Sequence, residues 1–213
     1  MPALKAAERK EKRAVKPSLY PRLWTSEEFL DWLRPGVRAD LIHGQLFMHS
    51  PANIYHGRQL NTLDYLLRGY IDAKQAGELF RESIAVQFDG RDVFLPDLCY
   101  FNPEQVSRLV PAYVPFAPTM VVEALSQRTA RRDTGIKFAA YERHGVQEYW
   151  IIDPIEEDHR FFVREENLLV EFAKREDRVE SRSLPGFFIK REWLSPTKAP
   201  SVRACLREIL GED

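Results

Sequence analysis

Cysteine is nearly absent from this chain. Cys99 and Cys205 are the only two, and neither has a metal-ligand partner at short spacing. Two thiols make no disulfide framework, so a reducing cytoplasm is the expected setting. No apolar run approaches the ~20 residues that cross a bilayer. The first residues, MPALKAAERKEKRAVKP, lack the apolar centre of a secretory signal. An excess of one charge is missing too: 31 basic residues face 32 acidic ones, for a formal net charge of -1. That excludes a strongly basic protein that coats a duplex, although clustered charge can still set the field over a groove. There is no glycine-rich phosphate cradle and no nucleophile elbow around a serine.

What is present is core material. Hydrophobic residues make up 44% of the 213, with 4 Trp, 8 Tyr and 13 Phe, enough to pack a domain interior. Residues 1–18 are Ala, Lys, Arg and Glu with almost no large apolar side chain, which predicts a disordered basic tail. One domain is expected over 19–196, with a C-terminal helix over 197–213 packed on it. Thr25 and Glu28 form a capping-box signature ahead of Phe29, Leu30 and Leu33. ADLIHGQLFMHS reads as two short strands around His43-Gly44. Leu60, Leu63, Leu67 and Ile71 recur at helical spacing over 53–74, with Gly77 as the expected stop. ELFRESIAVQF and VFLPDLCYF read as two strands joined by the turn Asp89-Gly90-Arg91-Asp92. TMVVEALS and QEYWIID read as buried strands, with a helix over 134–144 between them. A strand pair, further β-like sequence to about 189 and a short helix complete an α/β order, with a mixed sheet flanked by helices.

Two acids sit where acids are costly. Asp97 lies among Phe94, Leu95, Leu98, Tyr100 and Phe101, and Glu123 lies within MVVEAL. An isolated carboxylate in such a strand needs a metal, a cation or backbone donors. Pro96 removes one ladder donor, which marks a bulge or strand end. Two carboxylates converging from neighbouring strands would repel unless a cation joined them, and two oxygens plus waters suit Mg²⁺. Separate pairing of each acid with an arginine or a loop is the competing reading. Asp133, Lys137 and Tyr141 share one helical face, with Ile136 and Ala140 on another. Lys137 either points at the carboxylates and orients a water or forms an exposed ion pair with Asp133. Arg128, Arg131 and Arg132 cluster at the helix entrance and suit phosphate contact or a solvated turn. His43, His49 and His56 lack zinc spacing, and a lone His56 is more often a hydrogen-bonded structural residue.

Three segments together resemble a known family. They are DLIHGQLFMHSP followed by His56, then LPDLCYF, then VVEALSQRTARRDTGIKFAAYERHGVQEYWIIDP. From about Trp24 to Leu194 the chain is similar to the Uma-type restriction endonucleases of the PD-(D/E)XK nuclease superfamily. The resemblance implies a restriction-endonuclease-like core, Mg²⁺ or Mn²⁺ as cofactor and phosphodiester hydrolysis, with DNA as partner and a homodimer as one arrangement. It implies Asp97 and Glu123 as metal ligands and catalytic residues, with Lys137 in the basic role because Leu125 stands where the superfamily has lysine. Asp40 and His56 would be accessory, and Arg131 and Arg132 would hold phosphate. Relatives carry Glu-Leu-Ile-x-Gly-Glu where this chain has Asp40-Leu41-Ile42-His43-Gly44-Gln45. That departure keeps open a module that binds nucleic acid without cutting, and the near-neutral charge keeps open a dimeric scaffold that uses the β-rich C-terminal half on the same fold.

Overall fold

The computed structural model describes residues 22–212 apart from 50–52, 83 and 127–128. The predicted tail over 1–18 and Arg128 therefore lie outside the described residues.

A six-stranded mixed sheet forms the centre, in the order β10-β9-β8-β7-β6-β3. Its strands are β3 (Glu78–Arg81), β6 (Leu98–Phe101), β7 (Met120–Ala124), β8 (Glu148–Ile152), β9 (Arg160–Glu165) and β10 (Leu168–Phe172). Within this sheet, among the described residues, only β7 and β8 pair in parallel, joined through the helix α4 (Lys137–Arg143). A four-stranded antiparallel sheet, β2-β1-β5-β4, packs beside it. It holds β1 (Ala39–Ile42), β2 (Gln45–Met48), β4 (Val86–Gln87) and β5 (Val93–Phe94). β11 (Arg178–Glu180) pairs with β12 (Phe188–Lys190).

Successive strand side chains point to opposite faces, and both central strands use this alternation. Met120, Val122 and Ala124 of β7, with Trp150 and Ile152 of β8, pack with Leu60, Leu63 and Leu67 of α2 (Ile54–Lys74). Cys205 and Ile209 of α5 (Val202–Leu210) join the same core. On the other face Val121, Tyr149 and Ile151 pack with Ala140 and Tyr141 of α4. Glu123 shares the parity of Val121, so it faces α4. The helices α1 (Ser26–Trp32) and α3 (Pro103–Val106) lie at the periphery.

Several local expectations hold. Thr25 and Glu28 form the reciprocal capping box on α1. His43 (φ 49°) and Gly44 (φ 77°) both turn left-handed in the β1–β2 hairpin, the geometry of a type I′ turn. Others do not. The helix α2 stops at Lys74, because Gln75 takes the left-handed conformation (φ 51°) two residues before Gly77. Gly77 instead lets the chain pass the Phe101 carbonyl, which a Cβ would meet at 2.1 Å. The two runs read as single strands each break in two. Glu82 (φ 47°) divides β3 from β4, and the Pro96-Asp97 step divides β5 from β6. The ribbon thereby leaves one sheet and enters the other. At the corner the Glu82 N–H donates to the Asp97 carbonyl at 3.1 Å. Proline's missing donor explains why the ladder cannot run through this point.

The helix between β7 and β8 begins earlier than predicted and is not uniform. Arg132–Ile136 form a π-helical turn in which the Lys137 N–H reaches the Arg132 carbonyl. The Tyr149 hydroxyl donates to the Asp133 carbonyl at 3.0 Å. Such wide turns re-aim side chains inside an α-helix. Here Asp133 and Lys137 turn inward. Ile136 and Ala140, expected on one face, differ in setting: Ala140 is buried and Ile136 is 43% exposed.

Candidate active site

β1, the β5–β6 corner, β7, α4 and the first turn of α2 converge on one polar cluster. Asp40, Asp97, Glu123, Asp133, Lys137 and His56 are all buried within it. Leu98 pairs with Val122, so the register sets Asp97 opposite Glu123 on adjacent antiparallel strands. Convergence of the two acids follows from this pairing.

Lys137 is the hub. Its Nζ pairs with Glu123 Oε1 and lies 3.5 Å from Asp40 Oδ2 and 3.8 Å from Asp133 Oδ1. The exposed Asp133–Lys137 pair is therefore ruled out, since both side chains are interior. The Tyr141 hydroxyl donates to Glu123 Oε1 at 2.6 Å, giving that oxygen two donors from one helical face. Asp40 Oδ1 accepts the Leu95 N–H at 2.9 Å, and its Oδ2 lies 3.1 Å from His49 Nε2. Gln45, the second departure from the family pattern, is exposed.

The environment divides the charge unevenly. Burial pushes the Asp40 carboxyl up, but Lys137 and His49 together pull it down to about 2. Burial and the nearby Glu123 charge hold Asp97 well above the usual carboxylate range. Burial raises Glu123 as well, against the pull of Lys137, and it raises Asp133 likewise. Burial opposes the charge on Lys137, yet Asp40, Glu123 and Asp133 outweigh it and keep the ammonium ion. Four buried carboxyls share the cluster with one lysine and cannot all ionise cheaply, so the environment drives Asp97 toward its protonated form and Asp40 toward its ionised one.

Glu148 shows what a purely structural buried carboxylate looks like in the same sheet. It accepts from Trp150 Nε1, Ser181 Oγ, the N–H groups of Arg182 and Ser183, and Ser183 Oγ, all at 2.7–3.0 Å. Asp97, by contrast, accepts only the Ala124 N–H at 2.8 Å among the described residues, with His56 Nε2 at 3.8 Å. A buried carboxyl this poorly satisfied, among hard oxygen donors, fits a divalent cation such as Mg²⁺ or Mn²⁺. Glu148→Gln should cost about 2–3 kcal/mol of stability by breaking charge-assisted bonds, measured by urea denaturation, while leaving metal affinity unchanged.

Sequence reasoning missed two neighbours. His49 stands out in the sequence only as a zinc candidate without zinc spacing, yet in the fold it lies against Asp40. Glu82 sits in an ordinary polar stretch, Arg-Glu-Ser, that signals nothing. The two arginines separate: Arg131 is exposed, while Arg132 is half-buried, its guanidinium 5.1 Å from the centre of the Phe47 ring.

The Uma2 family, described as "Putative restriction endonuclease", matches residues 26–192. The chain belongs to this family. The match spans the hairpin carrying Asp40, the corner carrying Asp97, and the β7–α4–β8 unit. Among solved structures, the chain is similar to one described as a "putative nuclease belonging to DUF820" from Anabaena variabilis ATCC 29413. The TM-score is 0.69 at 18% identity, covering 80% of this chain and 96% of that one. At that identity the likeness establishes only the Uma2 chain's fold, a mixed α/β core. No curated protein matches the chain. No helix among the described residues is long and apolar enough to cross a membrane.

Proposed function

We propose that this Uma2-family chain is a Mg²⁺- or Mn²⁺-dependent endonuclease that hydrolyses phosphodiester bonds in DNA. The observation carrying this reading is the under-satisfied Asp97 carboxyl set opposite Glu123 in a cluster rich in carboxyls. Asp97 and Glu123 would hold the cation. When bound, it would supply charge for the scissile phosphate and lower the pKa of a water.

The chain's own residues prepare that site. Lys137 and Tyr141 both donate to Glu123 Oε1, which fixes its side chain and leaves Oε2 for another partner. Asp40 and Asp133 hold the Lys137 ammonium in place and keep it charged. Held by these partners, the Lys137 ammonium would orient a water or meet charge developing on a phosphate oxygen. Asp40 and His56 act as accessories around this core. Arg131, exposed at the helix entrance, and Arg132 beside it would hold the DNA backbone. Cutting both strands with one site per chain would take two copies acting together.

The deciding experiment is cleavage of supercoiled plasmid by full-length protein, with MgCl₂, MnCl₂ or EDTA. Metal-dependent nicking supports the reading. Salt-sensitive DNA binding with no cutting in any metal would identify a non-catalytic binding module instead. Lack of both would leave a scaffold.

The pH dependence has a defined sign. Asp97 and Glu123 are raised in the folded, metal-free protein, so they favour folding most below the unfolded carboxylate range. That contribution is lost as pH rises through their folded values. A cation held by these carboxylates would compete with their protons, so its affinity would rise over the same interval. Differential scanning fluorimetry with and without Mn²⁺ should therefore show a larger thermal shift at pH 8 than at pH 5.5. A shift that shrinks with rising pH would count against carboxylate ligation.

A further inference from the structure

The six-stranded sheet ends on two edges of unlike character, β3 and β10. At β3 the Arg68 guanidinium donates to the Leu79 carbonyl at 3.1 Å, and Arg81 adds a charge to the strand itself. β10 has little such protection. Its sequence, LLVEF, contains neither the proline nor the lysine with which natural edges avoid pairing. Leu169 faces the α4 side and is buried, and Phe172 packs on the opposite core. Leu168 and Val170 share the parity of Phe172, yet they are 60% and 38% exposed. The backbone is open as well. The Arg164 N–H is committed toward β8, on the Gln147 carbonyl at 2.8 Å. Its β10 partner Leu169, and Glu171 two residues on, therefore turn their backbone groups outward. Glu142 Oε2 takes the Leu169 N–H at 2.8 Å. Among the described residues, the Leu169 carbonyl and both backbone groups of Glu171 have no such partner.

We propose that β10 is a homotypic interface, where a second copy of this chain pairs antiparallel about a two-fold axis at Val170 and joins the two central sheets into one. The inference stands apart from the nuclease reading and uses none of its residues. The axis sets Val170 against its own counterpart, Leu168 against the partner's Phe172 and Leu169 against the partner's Glu171. The parity is correct, since Leu169 and Glu171 both face outward. The Glu171 N–H of each chain then meets the partner's Leu169 carbonyl, with the Glu142 contact left in place. A slip of one residue would set outward groups against inward ones. The charges select the same direction. Exposed Glu165 and Glu166 stand at one end of the strand, and exposed Lys174 and Arg175 at the other. An antiparallel pair brings each acidic end to the partner's basic end, whereas a parallel pair would oppose like charges. The exposed Leu168 and Val170, with half-buried Val163 beside Val170, would be covered by the same apolar row of the partner.

The test is sedimentation equilibrium of full-length wild type, Val170→Lys and two charge-reversed proteins, Glu165→Lys/Glu166→Lys and Lys174→Glu/Arg175→Glu. All of these positions are exposed, and circular dichroism on each protein checks that the fold is kept. Wild type should show a dimer whose population rises with concentration. Val170→Lys should weaken self-association at least tenfold. Each charge-reversed protein should be monomeric alone, because its own strand ends then repel, and an equimolar mixture of the two should restore the dimer. A wild type that stays monomeric would overturn the proposal. So would a dimer that survives Val170→Lys and both reversals, which would place the contact on another surface. A mixture that stays monomeric would overturn the antiparallel arrangement. Metal-dependent plasmid cleavage, measured separately, tests the nuclease reading whichever result is found.

Discussion

Asp97→Asn should lower metal-dependent plasmid cleavage by at least about a thousandfold, equivalent to roughly 4 kcal/mol of transition-state stabilisation. The substitution keeps size and shape, and the new side chain can still accept the Ala124 N–H. What it removes is the charge a cation requires, at a buried carboxyl with a single hydrogen-bond donor among the described residues. Glu123→Gln should act similarly, and its loss of pairing with Lys137 should also appear as reduced stability. Single-turnover cleavage and Mn²⁺ calorimetry on the same preparations separate chemistry from binding. An Asp97→Asn variant that folds and cuts within tenfold of wild type would remove Asp97 from the site.

Lys137→Met should be the most destabilising single change in the cluster, costing about 3–5 kcal/mol near neutral pH. The methylene stem is replaced almost in kind, so little packing is lost. The ammonium, however, is the shared counter-charge of Glu123, Asp40 and Asp133, and without it three buried carboxyls face one another. Glu123 and Asp133, already raised, then rise further, and Asp40 loses the largest influence that lowers it. Groups with raised values favour folding at low pH and lose that contribution as pH rises through them. The deficit should therefore be smaller at pH 5 than at pH 8. Urea midpoints for both proteins at both values measure it. A midpoint unchanged at pH 8 would mean that the carboxyls hold protons even with Lys137 present, and Asp40 could not then be the ionised member.

The two acids that face each other in the cluster were legible in the sequence because they violate the pattern around them. Asp97 and Glu123 interrupt runs that otherwise read as interior strand, and the i, i+4 spacing of Asp133 and Lys137 set both on one helical face. What periodicity cannot show is which side of a sheet a helix covers, so Lys137 could equally have pointed to water. Only the β7–α4–β8 crossover decides that. The strand breaks at Glu82 and Pro96 were half visible. Proline announces its own break, but a left-handed glutamate in a polar stretch leaves no trace in a linear pattern. Glu148 shows the opposite limit. It opens a strand as apolar as that of Glu123, and only the folded positions of Ser181 and Ser183 reveal it as fully bonded.

Cys99 and Cys205 are both interior, and burial raises the pKa of each thiol. Their thiolate fraction at neutral pH is small, and reagents reach them poorly. The native protein is thus close to silent toward maleimides without any cysteine being removed. A reporter attached through Arg131→Cys, at the exposed helix entrance, would be the dominant label and would stand where a nucleic-acid backbone is expected to pass.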